Sequence, residues 1–257
     1  MGLGMNLVDT ADVYGLDWGG TAFGQAEANL GRVLAAAPEL RDRMVLATKG
    51  GITPPTPYNS GASAITEACE ASLARLGTDV IDLYQIHRPD LFTHPGELAE
   101  ALAALREQGK IREAGVSNFT PQQHEALAAH LPFPLASTQP EYSAAELGAL
   151  RDGTLDLCMR DGVVPLAWSP LAGGSLATGT DVRPELIAAL DQLAGRHDTS
   201  RTAVALAFVL AHPSRPVALL GTQNPERLAE AAPAAAVPLE RADVYAIIEA
   251  SEGVPLP

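Results

Sequence analysis

At 257 residues, 47% hydrophobic and 19% charged, the chain has the make-up of a soluble globular protein and the length of one large domain, 1–257. Its formal charge of −14, from 17 basic and 31 acidic residues without a basic stripe, argues against nucleic-acid binding. No apolar run approaches the roughly 18 to 20 residues of a membrane span, and Met1-Gly-Leu-Gly4 lacks the regions of a secretory signal, so no membrane role and a cytoplasmic address are expected.

Taken in chain order, short apolar runs alternate with stretches of helical spacing. The runs lie at 6–9, 44–48, 80–86, 114–116, 135–138, 163–168 and 216–220; helix-like segments lie near 24–37, 63–76, 94–108, 120–130, 146–161, 183–211 and 224–232, with a last one at 240–250. Cap signals support several helix starts: Ser63 before Ile65, Thr120-Pro121 followed by Gln123, and Asn224-Pro225-Glu226. The 183–211 segment reads as two helices broken near His197-Asp-Thr-Ser200. Such alternation predicts βαβ units and a parallel sheet, either an open doubly wound sheet or a (β/α)₈ barrel.

Polar residues at the run ends favour the barrel. Asp9, Lys49, His87, Ser117 with Asn118, Gln139, Ser169, and Gly221 with Thr222 all sit just past a strand's C-terminal end. In a barrel those ends converge on one mouth, whereas in an open sheet they spread along an edge. No strand–Gly-x-Gly-x-x-Gly–helix fingerprint is present. Seven strands are countable, one short of a closed (β/α)₈ TIM barrel.

The chemistry concentrates in the first three strands. Asp9 ends the first, Tyr14 lies in the loop after it, Lys49 ends the second and His87 the third. Lys49 and Lys110 are the only lysines in a chain that otherwise uses arginine; a lysine kept against that bias suits a site needing a compact ammonium. A tyrosine gives up its proton readily only when something stabilises the phenolate, and a neighbouring ammonium held by a carboxylate does so. A histidine beside them can donate a hydrogen bond to a carbonyl oxygen. Each has a plain alternative: Asp9 as a helix cap, Tyr14 as a packing residue, Lys49 as a surface cation. Cys69 and Cys158 read as free thiols, and the six histidines have no metal-ligand spacing, so no metal is expected.

The motifs Asp-Thr-Ala-Asp-Val-Tyr-Gly (9–15), Ala-Thr-Lys-Gly-Gly (47–51), Gln-Ile-His-Arg-Pro-Asp (85–90), Gly-Lys-Ile-Arg-Glu-Ala-Gly-Val-Ser-Asn-Phe (109–119), Trp-Ser-Pro-Leu-Ala-Gly-Gly (168–174) and Gly-Thr-Gln-Asn-Pro-Glu-Arg-Leu (221–228) occur in one order across nearly the whole chain. In these the sequence resembles the aldo-keto reductase family, whose barrel begins with a strand and helix before the first motif. With only eight residues ahead of Asp9, the resemblance implies a (β/α)₈ TIM barrel lacking the first β/α unit and a natural chain that starts upstream. The resemblance implies a catalytic tetrad of Asp9, Tyr14, Lys49 and His87 and an NADPH-dependent reduction of an aldehyde or ketone. It implies nicotinamide contacts from Ser117, Asn118 and Gln139, with Trp168 stacked on the ring. Ser169, Leu171 and Gly173 would follow the pyrophosphate. Gly221, Thr222, Gln223, Arg227 and Glu230 would hold the adenosine end, with Arg227 at the 2′-phosphate. Gly221 and Ala231 depart from the residues common there, which loosens the preference for NADPH over NADH.

Arg88 and Asp90 read as a structural ion pair, Trp18, Tyr58 and Tyr142 as candidates to line a substrate mouth, and 51–60 as a polar binding loop. Two other readings remain open: a non-catalytic NADPH-binding member, and a Schiff-base aldolase barrel using Lys49 as nucleophile. The partner is a small carbonyl compound, and the protein a monomer or small homo-oligomer.

Overall fold

The computed structural model describes residues 2–16 and 22–256. The chain divides into two compact units, Met1–Thr138 and Gln139–Pro257, each with an apolar core of its own.

The first unit alternates strand and helix: Leu7–Asp9 (β1), Gln25–Ala36 (α1), Val45–Gly50 (β2), Ala62–Leu76 (α2), Ile81–Ile86 (β3), Pro95–Glu107 (α3), Ile111–Ser117 (β4) and Pro121–Ala128 (α4), with a 3-10 turn at Pro38–Arg43. β1, β2, β3 and β4 pair in parallel and in sequence order, with Val8 opposite Leu46, Lys49 opposite Gln85, and Gln85 opposite Gly115. Five of the six residues of β2 and all six of β3 are buried. That double-faced burial is why these strands read as continuous apolar runs and not as polar–apolar alternation. Leu46, Ile65, Leu76, Ile86, Leu102 and Ile111 form the centre of the core, sheet on one side and α2 and α3 on the other.

Local chemistry fixes the helix ends. Thr120 and Gln123 form a reciprocal box, Thr120 Oγ1 accepting from Gln123 N (3.2 Å) and Gln123 Oε1 from Thr120 N (3.0 Å). α2 begins earlier than the Ser63 signal suggests. Its cap is Gly61, and its first free N–H groups reach Asn59 Oδ1 (3.1 Å from Gly61 N) and Glu97 Oε1 (3.0 Å from Ala62 N), so Ser63 lies inside the helix. Gly77, at φ 65°, closes α2 with its N–H on Leu73 O.

Ser137–Gln139 (β5) carries the chain into the second unit, which continues as Gly148–Arg151 (α5), Thr154–Asp161 (α6), Val164–Ala167 (β6), Ser175–Thr178 (α7), Pro184–Arg196 (α8), Arg201–Leu210 (α9), Val217–Ala218 (β7), Pro225–Ala231 (α10) and Arg241–Glu252 (α11), with 3-10 turns at Ala172–Gly174 and Ala232–Ala236. β6 and β7 pair in parallel, Leu166 opposite Val217. The 146–161 stretch, read as one helix, is two, because Gly153 at φ 88° turns the chain between α5 and α6. The break near His197–Ser200 separates α8 from α9, whose first turn is capped by Ser200 Oγ on Ala203 N (3.1 Å). α9 is buried over nearly its whole surface, and with α8 and α11 it encloses the second core around Tyr142, Leu190, Phe208 and Ile247. Among the described residues no helix is long and apolar enough to cross a membrane.

Candidate active site

In the first unit the C-terminal ends of β1, β2 and β3 bring Asp9, Lys49 and His87 together, with Tyr14 in the turn that follows β1. Lys49 is fully buried, and all three directions of its ammonium are occupied. It donates to Asp9 Oδ2 at 2.5 Å, to Thr10 O at 2.9 Å and to Tyr14 Oη at 3.3 Å. The ammonium also lies 4.8 Å from the Tyr14 ring centroid. A buried ammonium is tolerated only when paired and hydrogen-bonded, and here both conditions hold. Asp9 is held in turn by Gln85 Nε2, 3.0 Å from Oδ1.

Tyr14 is 40% exposed, the one member of the set that solvent reaches freely. Its ring meets His87 edge-on, centroids 5.7 Å apart at 82°. His87 is buried, its N–H donating to Gly50 O at 2.9 Å, and its ring Nδ1 has no hydrogen-bond partner. Burial, then the charges of Lys49 and Arg88, push its pKa down to about 3. The imidazole is therefore neutral across the physiological range, one nitrogen bearing hydrogen and the other not. NMR of the His87 ring is expected to show no titration between about pH 5 and pH 8; a midpoint near the unperturbed ~6.5 would contradict this electrostatic picture.

Ser117 ends β4, buried, and Asn118 follows at φ 59°. Asn118 Nδ2 donates to Ser117 Oγ (2.8 Å) and to His87 O (3.3 Å), so these two lie beside the four residues above. Asp90, read as the partner of Arg88, anchors its own loop. Its carboxylate accepts from Ser60 N (3.0 Å), Phe92 N (3.0 Å) and Thr93 Oγ1 (2.7 Å), and the two backbone N–H groups and the Thr93 hydroxyl hold its pKa below the usual carboxylate range despite burial that works the other way. Tyr58 is exposed, and Trp18 lies outside the described residues.

In the second unit Gln139 is buried at the end of β5, and Trp168 follows β6, its N–H on Pro140 O (3.0 Å) and its carbonyl accepting from Tyr142 N (3.3 Å). Tyr142 is buried against Phe208, ring centroids 5.9 Å apart, so it packs the core and lines no mouth. Ser169 (φ 50°) and Ala172 (φ 49°) are non-glycine residues in the left-handed region, joined by Gly173 (φ 65°) and Gly174 (φ 102°). Such a run is strained for side-chain-bearing residues and is a mark of a functional segment. Nothing lies within 4 Å of where a Cβ would stand on Gly173 or Gly174, so this main chain is open to close approach. Leu171 is half-buried between them. Gly221, Gln223, Arg227 and Glu230 are exposed around the start of α10, where Asn224 Oδ1 caps Glu226 N at 2.8 Å and Thr222 Oγ1 accepts from Asn224 N at 3.1 Å.

Sequence reasoning passed over Gln85. Its signal was a polar residue within an apolar parallel strand, two positions before His87 and so on the same face.

The aldo/keto reductase family pattern matches residues 1–252, and the chain belongs to this family. It is 49% identical over 255 residues to a 6-dehydroglucose reductase of Novosphingobium aromaticivorans, covering 99% of this chain and 84% of that one. It is 37% identical over 265 residues to the oxidoreductase YdhF of Escherichia coli, covering 99% of this chain and 86% of that one. A solved thermostable aldo-keto reductase, in complex with the inhibitor epalrestat, superposes with a TM-score of 0.84 at 27% identity, over 97% of this chain and 83% of that one. The fold is accordingly an incomplete (β/α)₈ barrel, with seven parallel strands among the described residues. The protein is an NAD(P)H-dependent oxidoreductase of the type that reduces carbonyl compounds, and family membership implies NADPH as the reductant.

Proposed function

We propose that the chain, as one barrel domain over 1–257, reduces an aldehyde or ketone to an alcohol, with the proton supplied by Tyr14. The observation that carries this reading is the buried Lys49 ammonium held by Asp9 at 2.5 Å and touching Tyr14 Oη at 3.3 Å. When bound, the reduced nicotinamide supplies the hydride that the carbonyl carbon accepts. Tyr14 then gives its hydroxyl proton to the oxygen of the incipient alkoxide, completing the alcohol. Lys49 compensates the negative charge left on the phenolate, and Asp9 with Gln85 keeps the ammonium from turning away. Neutral His87 donates its ring N–H to the carbonyl oxygen, which orients the substrate without supplying a competing proton.

The open, left-handed backbone at 169–174 suits a phosphate-bearing group, since only such main chain lets an anion approach N–H groups closely. Ser117, Asn118, Gln139 and Trp168 are proposed to hold the nicotinamide, and Ser169, Leu171 and Gly173 the pyrophosphate. Gly221, Thr222, Gln223, Arg227 and Glu230 are proposed at the adenosine end. The exposed Arg227 guanidinium suits a 2′-phosphate, and so favours NADPH over NADH. The name of the 49%-identical relative makes an oxidised sugar bearing an aldehyde the first substrate to try.

NADPH consumption, followed by the absorbance of the reduced nicotinamide with 4-nitrobenzaldehyde and with 6-dehydroglucose, tests the reading. Turnover that Tyr14→Phe lowers by about 10²- to 10⁴-fold, with NADPH binding retained, is the expected result. Tight NADPH binding with no turnover would favour the non-catalytic alternative. Trapping of Lys49 by borohydride with substrate would favour the aldolase.

A further inference from the structure

Behind the four residues of the first unit lies a second cluster of buried charge. Asp12 sits two residues before Tyr14 in the same turn. Its N–H donates to Lys49 O (3.0 Å), and its carbonyl accepts from Gly24 N (2.7 Å). Main chain at Asp12 thus straps the strand bearing Lys49 to the start of α1. The turn is tied again where Ala26 N donates to Tyr14 O (3.2 Å). Any force on Asp12 therefore reaches both the lysine and the tyrosine.

The Asp12 side chain is 1% exposed, and its Oδ1 has no hydrogen-bond partner. Every other charged group in the cluster is spoken for. Glu27, in the first turn of α1 and fully buried, accepts from Thr48 Oγ1 on β2 (2.5 Å) and from Arg75 Nε on α2 (2.7 Å). Lys49 is taken by Asp9. The Arg75 guanidinium is thus held by Glu27 and the Lys49 ammonium by Asp9, so Asp12 is the acid left without a hydrogen-bonded cation. Burial, then the Glu27 charge, push its pKa up to about 7, against smaller opposing effects from the Val13 amide, Arg75 and Lys49. On β3, Tyr84 also feels the Asp12 charge; it is buried with its hydroxyl unpartnered, close enough to Gly50 that a Cβ there would meet Tyr84 Oη at 2.0 Å. On α2, Cys69 and Ser72 are buried, Ser72 Oγ accepting from Arg75 Nη2 (3.2 Å).

We propose that Asp12, in its protonated form, is a positioning residue for the Tyr14–Lys49 pair, and that loss of its proton weakens that pair. This rests on the reading of Tyr14 as the proton donor. With Asp12 neutral the cluster is charge-balanced. With Asp12 ionised, an uncompensated carboxylate lies buried in the turn that carries Tyr14 and is strapped to Lys49 O, so the turn shifts to relieve the unpaired charge and the Tyr14–Lys49 contact loosens. The reductase slows as its own buried carboxyl ionises.

The test is the pH profile of kcat at saturating NADPH and aldehyde, from about pH 6 to about pH 8.5, for wild type, Asp12→Asn and Tyr14→Phe. Wild-type kcat is expected to fall roughly three- to tenfold through an inflection near neutrality. Asp12→Asn, which keeps the shape and neutrality of the protonated acid and cannot ionise, should hold the low-pH kcat across the range with KM for NADPH unchanged. An Asp12→Asn profile that keeps the inflection overturns the proposal, as does a uniform loss at all pH values, which is what a merely structural role gives. Full turnover by Tyr14→Phe would instead sink the reading of Tyr14. Should Asp12→Asn fail to fold, infrared spectra of the wild-type protein decide. A buried carboxylic-acid carbonyl band that disappears between about pH 6 and about pH 8.5 supports the proposal; a spectrum without that change overturns it.

Discussion

Lys49→Met is expected to lower kcat/KM by about 10²- to 10⁴-fold and to destabilise the protein. Methionine fills the volume of the lysine stem without its charge, so the rate loss isolates the ammonium. The stability loss has a separate origin. Asp9, with its side chain 11% exposed, keeps Gln85 but is left as a nearly buried carboxylate without the Lys49 cation. Breaking one partner of a buried pair costs about 3–5 kcal/mol, and the residual exposure of Asp9 places this case toward the lower end. The double variant Asp9→Asn with Lys49→Met should recover much of the stability in urea denaturation and none of the rate. A single Lys49→Met protein within tenfold of wild-type kcat/KM would contradict the role given to the ammonium.

Gly31→Ala is expected to destabilise the first unit by roughly 2–3 kcal/mol, against the usual preference of helices for alanine. Gly31 lies within α1 and carries no left-handed φ, so propensity alone predicts a gain of about 1 kcal/mol on replacement. A Cβ there would stand 2.2 Å from Arg75 O and 3.2 Å from Leu76 C, in the last turn of α2. Backbone cannot swing aside as a long side chain can, so the two helices must separate. The overpacking cost exceeds the propensity gain. Gly195 is the control: in α8, exposed, with nothing within 4 Å of an added Cβ, its replacement by alanine should stabilise by about 0.5–1 kcal/mol. Denaturant midpoints of the two variants, moving in opposite directions, check the argument. A stabilised Gly31→Ala protein would show that the α1–α2 approach yields more easily than backbone packing allows.

What the sequence made legible was what period and punctuation encode. The seven apolar runs are the seven strands, and the Thr120–Gln123 and Asn224 cap signals sit where the structure caps its helices. Strand ends also grouped Asp9, Lys49 and His87, because parallel strands in sequence order must place their C-terminal ends side by side. Pairing between buried polar groups was not legible. Glu27 meets Thr48 and Arg75 across 21 and 48 residues of chain, and no local pattern distinguishes a helical glutamate facing solvent from one facing a guanidinium. Gln85 was hidden for the same reason, as one polar residue in an apolar run. The break at Gly153 was missed because an isolated glycine within a helical pattern is often tolerated, and only its φ of 88° identifies a turn. Tyr142 could not be sorted between mouth and core, since an aromatic ring suits either until its neighbour, here Phe208, is known.

The most direct test of the account follows the hydrogen itself. The wild-type protein would be given an aldehyde and NADPH carrying deuterium in place of both hydrogens on the redox carbon of the nicotinamide, and the alcohol analysed by mass spectrometry and NMR. The account predicts one deuterium on the carbinol carbon, and production of that alcohol falling away in Tyr14→Phe. Alcohol formed without deuterium, or formed equally well by Tyr14→Phe, would contradict it.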